Sequence, residues 1–318
     1  MNQPPQPQPY QQAALPGCWW HPNRPTGVSC ARCGRPACPD CLREAPVGFQ
    51  CLDCVQIGQR QQRAQQRQYN AAGFGARTIA GARPSERAIV TPVIIALNVL
   101  VYLITAVQAQ SPLNNQLAPL FSDWVLYPSA IGQQGEWWRL LTSGFLHFGP
   151  IHIAVNMLSL WMIGRDLEML LGKVRFLAVY FISMLGGSAA VFVFSDPGAG
   201  TAGASGAIYG LLGALLVAVL RLKLNPGMVI GTIVLNLVIT YAIPGISLFA
   251  HVGGLVIGAV AMVAILYAPA KGREWWQAGA LAVVLFALVG MVVLRDVQFS
   301  QLICGYTAQR DYICLSKG

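Results

Sequence analysis

Charge is what this sequence has least of. Of its 318 residues, 10% are Asp, Glu, Lys or Arg, 55% are hydrophobic, and the mean hydropathy is +0.52. Soluble domains carry about a quarter charged residues, so an ordinary soluble enzyme is excluded and a chain that crosses a bilayer several times is indicated. Met1 to Gln12, rich in Pro and Gln, lack the apolar core of a signal peptide. They also bury too little to fold, so residues 1–17 are expected to be a disordered tail and the N-terminus to stay cytoplasmic. No HExxH is present, which removes that zinc-protease pattern. Asp166, beside Arg165, is the only aspartate in the apolar segments, which removes a site built on two membrane-embedded aspartates. No internal repeat is visible, which argues against a transporter built on inverted halves.

What charge there is, is unevenly placed. Ten of the 21 Lys and Arg residues precede position 88. A net charge of +9 raises the question of nucleic acid, but membrane proteins concentrate Lys and Arg on the cytoplasmic side, and no nucleic-acid partner is expected. Residues 55–87 are polar and Gln/Arg-rich, a linker or a solvated helix. From Ala88 the chain turns apolar. A bilayer core of about 30 Å takes roughly 20 apolar residues in a helix. Seven segments meet that length, allowing some tilt: 88–108, 150–171, 174–195, 205–222, 227–243, 247–268 and 275–294. Asp196-Pro197-Gly198, Asn225-Pro226-Gly227 and Pro244-Gly245 supply turn chemistry between them. The span 109–149 is mixed, carries Trp124, Trp137 and Trp138, and reads as a structured loop at the interface. With the N-terminus inside, seven further cations lie inside and four outside, and residues 296–318 form an extracytoplasmic tail. The expected fold is an all-α polytopic membrane protein, residues 88–295, preceded by a small metal-binding module, residues 18–54. The plasma membrane is the expected location.

That module holds seven of the nine cysteines, as Cys18-x-x-His21, Cys30-x-x-Cys33, Cys38-x-x-Cys41 and Cys51-x-x-Cys54. A two-residue gap lets both members of a pair reach one tetrahedral Zn²⁺, and thiolate and imidazole suit that ion. Eight ligands make two closed sites without an open position, so the zinc is expected to be structural and catalysis to need no cofactor. The spacing resembles a B-box-like zinc finger, and by that resemblance Cys18, His21, Cys38 and Cys41 share one ion and Cys30, Cys33, Cys51 and Cys54 the other. Pairing in sequence order is the alternative. A cytoplasmic protein partner is expected for the module. Cys304 and Cys314, in the outer tail, are expected to form a disulfide, that side being oxidising in many organisms.

Three histidines remain, His147, His152 and His251, all near the outer edge of an apolar segment. Ionisable groups inside spanning segments are costly and usually functional. Ser205, in Gly203-Ala204-Ser205-Gly206, opens the fourth segment from the same side as His251 opens the sixth. Small residues at a helix start also serve packing alone. Here, however, His251, Gly254 and Gly258 share one face, and Gly206, Gly210 and Gly213 form a comparable stripe on the fourth segment. Two glycine faces permit close backbone contact, which brings an imidazole within reach of a hydroxyl. A serine so paired is an activated nucleophile when something orients the base, and Tyr209, one turn below Ser205, is a candidate for that packing role. His152 and Asn156, at i and i+4, and the unpaired N–H of Ser205 are candidate oxyanion donors.

Trp138-Arg139, His152-x-x-x-Asn156, Gly203-Ala204-Ser205-Gly206 with Tyr209, and Ala250-His251-x-x-Gly254-x-x-x-Gly258 together resemble the signatures of the rhomboid family, in the family's order. The resemblance covers residues 88–270. It implies a six-helix core, here with a seventh C-terminal transmembrane helix, and an intramembrane serine endopeptidase with a Ser205–His251 dyad. It also implies an oxyanion hole of His152, Asn156 and the Ser205 N–H. Substrates would be single-pass or polytopic membrane proteins in the lipid bilayer, cut near the outer end of a transmembrane helix. The family also suggests the fifth segment, 227–243, as a mobile gate. The alternative is a non-catalytic scaffold of the same fold that binds transmembrane helices and recruits cytoplasmic partners through its zinc module. Such a scaffold needs neither Ser205 nor His251.

Overall fold

The computed structural model describes residues 14–45, 48–71, 77–83, 87–300, 302–306 and 312–316. The chain divides into two compact units, residues 1–74 and 75–318.

In the first unit, two short antiparallel strands, β1 (Leu42–Glu44) and β2 (Phe49–Cys51), lead into helix α1 (Leu52–Ala71). A core for so small a body comes from its cysteines: Cys18, Cys30, Cys38, Cys41, Cys51 and Cys54 are buried together with Ala37 and Leu42. Of the expected 1–17 tail, residues 1–13 lie outside the described residues, while Gly17 already bridges to Pro25. The stretch expected as a polar linker begins as helix, since α1 runs to Ala71.

The second unit is helical. Its long helices are α2 (Val90–Gln108), α6 (Gly149–Leu171), α7 (Lys173–Phe194), α8 (Ser205–Arg221), α9 (Gly227–Ala242), α10 (Leu248–Leu266) and α11 (Arg273–Ser300). Three short helices, α3 (Pro119–Trp124), α4 (Pro128–Gln134) and α5 (Arg139–Thr142), fill the mixed span between α2 and α6. All seven expected segments are helices, but not all are long. Helices α2, α7, α10 and α11 are long and apolar enough to cross a membrane, and α6 makes a fifth if taken with the segment Arg139–Phe145, from which it bends by 93°. Helices α8 and α9, with 17 and 16 residues, fall short. The turn chemistry that ends them arrives before a full span is complete. With these helices the chain is a multi-pass membrane protein.

Glycine faces set the packing at the centre, where α7, α8 and α10 meet. A Cβ on Gly258 would overlap the Gly210 carbonyl, and one on Gly254 would overlap that of Gly206. The backbones of α8 and α10 therefore touch, as small residues at a transmembrane interface allow. Around them Tyr180, Phe176, Leu211 and Met262 are fully buried.

Near the C-terminal end of α6, Glu168 is 2% exposed and closes the start of α2. Its carboxylate accepts the N–H groups of Ile89, Val90 and Thr91 at 2.7–2.8 Å and the Thr91 hydroxyl at 2.9 Å. The first N–H groups of a helix have no partner within it, and one side chain supplies three of them here. Nearby, residues 77–82 are held rather than loose: Ala80 is fully buried, and its carbonyl accepts from Gln277 Nε2 of α11 at 3.0 Å.

After α11, strands β3 (Leu302–Tyr306) and β4 (Tyr312–Ser316) pair antiparallel, with Cys304 and Cys314 opposite in register. Their side chains, and so the expected disulfide, lie outside the described residues.

Candidate active site and candidate metal centres

The loop before α8 is placed by the span 109–148. Arg139, 7% exposed, donates from Nη1 to the carbonyls of Ser122 and Val125, both at 2.7 Å, and from Nε to Glu136 at 2.5 Å. This fixes the segment ending at Leu126, which exchanges two backbone hydrogen bonds with Thr201. Two residues on, the Gly203 N–H donates to the Ser143 carbonyl at 3.0 Å. Gly203 sits at φ +134°, and a Cβ there would meet the His152 ring at 2.9 Å. Only glycine suits both constraints. The chain then turns into α8 with Ser205 as its first residue.

Ser205 Oγ lies 2.8 Å from His251 Nε2. His251 is 6% exposed, and the Tyr209 ring stacks on its imidazole with centroids 3.9 Å apart and planes 11° from parallel. Its other nitrogen, Nδ1, is 2.7 Å from Thr240 Oγ1 of α9. Thr240 is a partner that sequence reasoning missed, although Thr232, Asn236 and Thr240 recur every four residues in an otherwise apolar helix and so share a face.

His152 stands on the first turn of α6, whose start is tied down by Asn115, which accepts from the Gly149 N–H at 2.9 Å. His152 Nδ1 accepts the Phe148 N–H at 3.1 Å. A neutral imidazole that accepts at Nδ1 carries its proton on Nε2, and that end of the ring faces Gly203. Asn156, one turn on, is buried and donates from Nδ2 to the His152 carbonyl at 2.8 Å. The Ser205 N–H belongs to the first turn of α8, where no preceding helical carbonyl is available to it. Ser205, His251, His152 and Asn156 all line one cavity of about 820 Å³, walled on one side by α9. His147 does not line it; that residue is fully buried, its ring 5.1 Å from that of His152. A hydroxyl 2.8 Å from an imidazole nitrogen, in a cavity also lined by His152 and Asn156, is an arrangement suited to acyl transfer.

In the first unit the eight candidate ligands fall into two groups, Cys18, His21, Cys38, Cys41 and Cys30, Cys33, Cys51, Cys54. The pairs alternate along the chain. Sulfur atoms of Cys18, Cys38 and Cys41 lie 3.8, 3.5 and 3.4 Å from His21 Nδ1, and those of Cys33 and Cys51 lie 3.8 Å apart. Tetrahedral zinc, with bonds of about 2.3 Å to sulfur and about 2.0 Å to nitrogen, sets S···N edges near 3.6 Å and S···S edges near 3.8 Å. The residues fit a zinc ion at each cluster. Their protonation also calls for a cation. Burial would raise the Cys18 and Cys30 thiols, yet the N–H groups aimed at them, from Cys38 and Trp20 and from Cys51 and Cys33, bring both down to about 6. Burial, then the neighbouring thiolates, pushes Cys41 and Cys54 up to about 12. Ionisation of all three thiols in the first group and all four in the second is therefore favoured by a positive charge between the ligands.

Residues 134–268 match the family model for the Rhomboid domain. The chain is 38% identical over 180 residues to rhomboid protease GluP of Bacillus subtilis, a match covering 55% of this chain and 34% of that one. It is 37% identical over 145 residues to RHOMBOID-like protein 4 of Arabidopsis thaliana, covering 43% and 36%. To rhomboid protease AarA of Providencia stuartii it is 32% identical over 219 residues, covering 58% and 74%. The matched stretch thus spans about a third of the first two relatives and most of the third.

Proposed function

The chain belongs to the rhomboid family, and from that premise we propose that it is an intramembrane serine endopeptidase with Ser205 as nucleophile and His251 as its base. The observation that carries this reading is the 2.8 Å contact between Ser205 Oγ and His251 Nε2 inside an 820 Å³ cavity. A scaffold that only binds helices has no use for such a pair.

Ser205 Oγ attacks the scissile carbonyl while His251 Nε2 takes its proton. Negative charge gathers on the substrate oxygen, for which the His152 Nε2–H, the Asn156 amide and the Ser205 N–H are the proposed donors. His251 returns the proton to the leaving nitrogen as the tetrahedral intermediate collapses to an ester on Ser205. Water, deprotonated by the same imidazole, then releases the acid. Tyr209 holds the ring in plane. The substrate is a transmembrane helix of another membrane protein, cut near its extracytoplasmic end. The peptide bond must first leave the helix, because an intact helix shields its carbonyls.

The distribution of Lys and Arg supports a cytoplasmic N-terminus and an extracytoplasmic C-terminus, and the plasma membrane is the location we propose. The two cysteine clusters would hold structural Zn²⁺, and the small module so formed is suited to recruiting a cytoplasmic protein. The Cα register of Cys304 and Cys314 supports their pairing as a disulfide.

The test is direct. Detergent-purified chain should cleave a transmembrane substrate carrying small residues near its outer end and be labelled by a serine-directed fluorophosphonate, with both activities absent in Ser205→Ala and His251→Ala. Cleavage that survives Ser205→Ala removes the nucleophile. A folded chain that neither labels nor cleaves across several substrates returns the scaffold reading.

A further inference from the structure

A base needs its second nitrogen held, and the group that holds it comes from an unexpected helix. Thr240 Oγ1 lies 2.7 Å from His251 Nδ1, 2.9 Å from the Tyr209 hydroxyl and 2.8 Å from the Asn236 carbonyl oxygen. Thr240 is 3% exposed. A hydroxyl has one proton to give and two lone pairs to receive. The Asn236 carbonyl only accepts, so the contact with it is a hydrogen bond only when Thr240 donates there. Both remaining partners must then donate to Oγ1: Tyr209 its O–H, and His251 the proton on Nδ1. Neutral His251 accordingly presents an unprotonated Nε2 to Ser205. Were Thr240 to donate to Nδ1 instead, two oxygens would face each other at 2.8 Å with no proton between them. Nε2 would also already carry the proton it has to accept. For a neutral His251, one assignment alone satisfies the three contacts of Thr240 Oγ1, and it is the one a general base requires.

The helix that supplies this hydroxyl is lightly held. Of the 16 residues of α9, only Ile233 and Thr240 are buried. The same helix walls the cavity through Thr232, Asn236, Ile239 and Thr240.

We propose that Thr240 is the positioning residue of the dyad, so that His251 is set in its working tautomer only while α9 is seated. This rests on the Ser205–His251 assignment. Displacing α9 opens a wall of the cavity and withdraws the acceptor of Nδ1–H in one movement; the site is then armed again only when the helix returns.

The experiment uses the full chain in detergent, with Thr240→Val, which keeps the shape and removes the hydroxyl, and Thr240→Ser, which keeps the hydroxyl. Three quantities are read: kcat and KM on a transmembrane substrate, the rate of fluorophosphonate labelling, and the ¹⁵N shifts of the imidazoles, of which the chain has four. Thr240→Val should lower kcat and labelling about tenfold, equivalent to about 1.4 kcal/mol, with KM unchanged, and Thr240→Ser should recover most of the loss. In the wild type His251 should carry its proton on Nδ1, and in Thr240→Val the two tautomers should mix. A wild-type rate in Thr240→Val, or equal losses in both variants, overturns the proposal while leaving the dyad intact. A proton on Nε2 of wild-type His251 overturns it whether or not the variants fold. Failure of the wild type to label with fluorophosphonate removes the dyad itself, and this proposal with it.

Discussion

Glu168→Ala tests whether one carboxylate holds two membrane helices together. Glu168 gathers three backbone N–H groups and one hydroxyl at 2.7–2.9 Å, and it is 2% exposed. Leaving a buried donor without its partner costs about 1–3 kcal/mol, more when the acceptor was charged. Four donors would sum to about 4–12 kcal/mol, but those of a first helical turn lie near the end of a span and recover part of the loss from water. An expected destabilisation of about 3–5 kcal/mol follows, against a total of about 5–15 kcal/mol for a typical folded domain. The change should be specific to stability. Glu168 lies 16 residues beyond His152 on the same helix, about 24 Å along its axis. The assay is unfolding of detergent-solubilised protein by a graded denaturing detergent, run beside fluorophosphonate labelling under conditions where the variant is folded. A midpoint within experimental error of wild type would refute the argument. So would a labelling rate that falls while stability holds, because the capping bonds have no part in the chemistry.

Other consequences can be measured separately. Gly258→Val should fail to fold or lose at least about 3 kcal/mol, since its side chain would enter the Gly210 backbone; normal melting would show that α8 and α10 can part cheaply. Gly203→Ala should cost at least about a hundredfold in kcat by moving the loop against His152, read as cleavage by protein of wild-type stability. In the metal clusters, Cys18→Ser with Cys38→Ser should remove one zinc per chain and Cys18→Ser with Cys30→Ser two, by elemental analysis; pairing in sequence order predicts the reverse. Deleting residues 1–60 should leave proteolysis in detergent mostly intact, and complete loss in a well-folded truncation would show that the module takes part in catalysis.

The long helices were legible because bilayer-length apolar runs are separated by Pro-Gly and Asn-Pro breaks, and the candidate residues Ser205, His152 and His251 stand out because each sits near the edge of such a run. What escaped the sequence was of two kinds. Glu168 escaped because its partners are 77–79 residues away, so no local spacing announces it. Thr240 escaped because hydroxyls in transmembrane helices commonly bond to their own backbone, as Thr240 also does with Asn236. The span 109–149 has no period to read. Its order comes from Arg139, whose three bonds reach back as far as Ser122. Residues 77–82 were read as linker for a similar reason, their partners Arg273 and Gln277 being nearly 200 positions later.

The shortness of α8 bears on how the proposed hydrolysis would reach water. A helix of 17 residues rises about 26 Å, less than the roughly 30 Å of hydrocarbon it stands in. One end must therefore lie inside the apolar layer. Arg221 closes the other end and favours the interface, so the recessed end is the one that begins at Ser205. The backbone before it, residues 195–204, would be costly there without partners. It meets them in the bridge to Leu126 and the bond to Ser143. The short helix and the folded span 109–148 are thus two halves of one solution. The helix leaves room above the serine, and the span lines that room with protein where lipid would otherwise close over it. On the proposed reading, that room is where water would reach an ester on Ser205 without crossing hydrocarbon, and where a substrate helix would find polar backbone beside it.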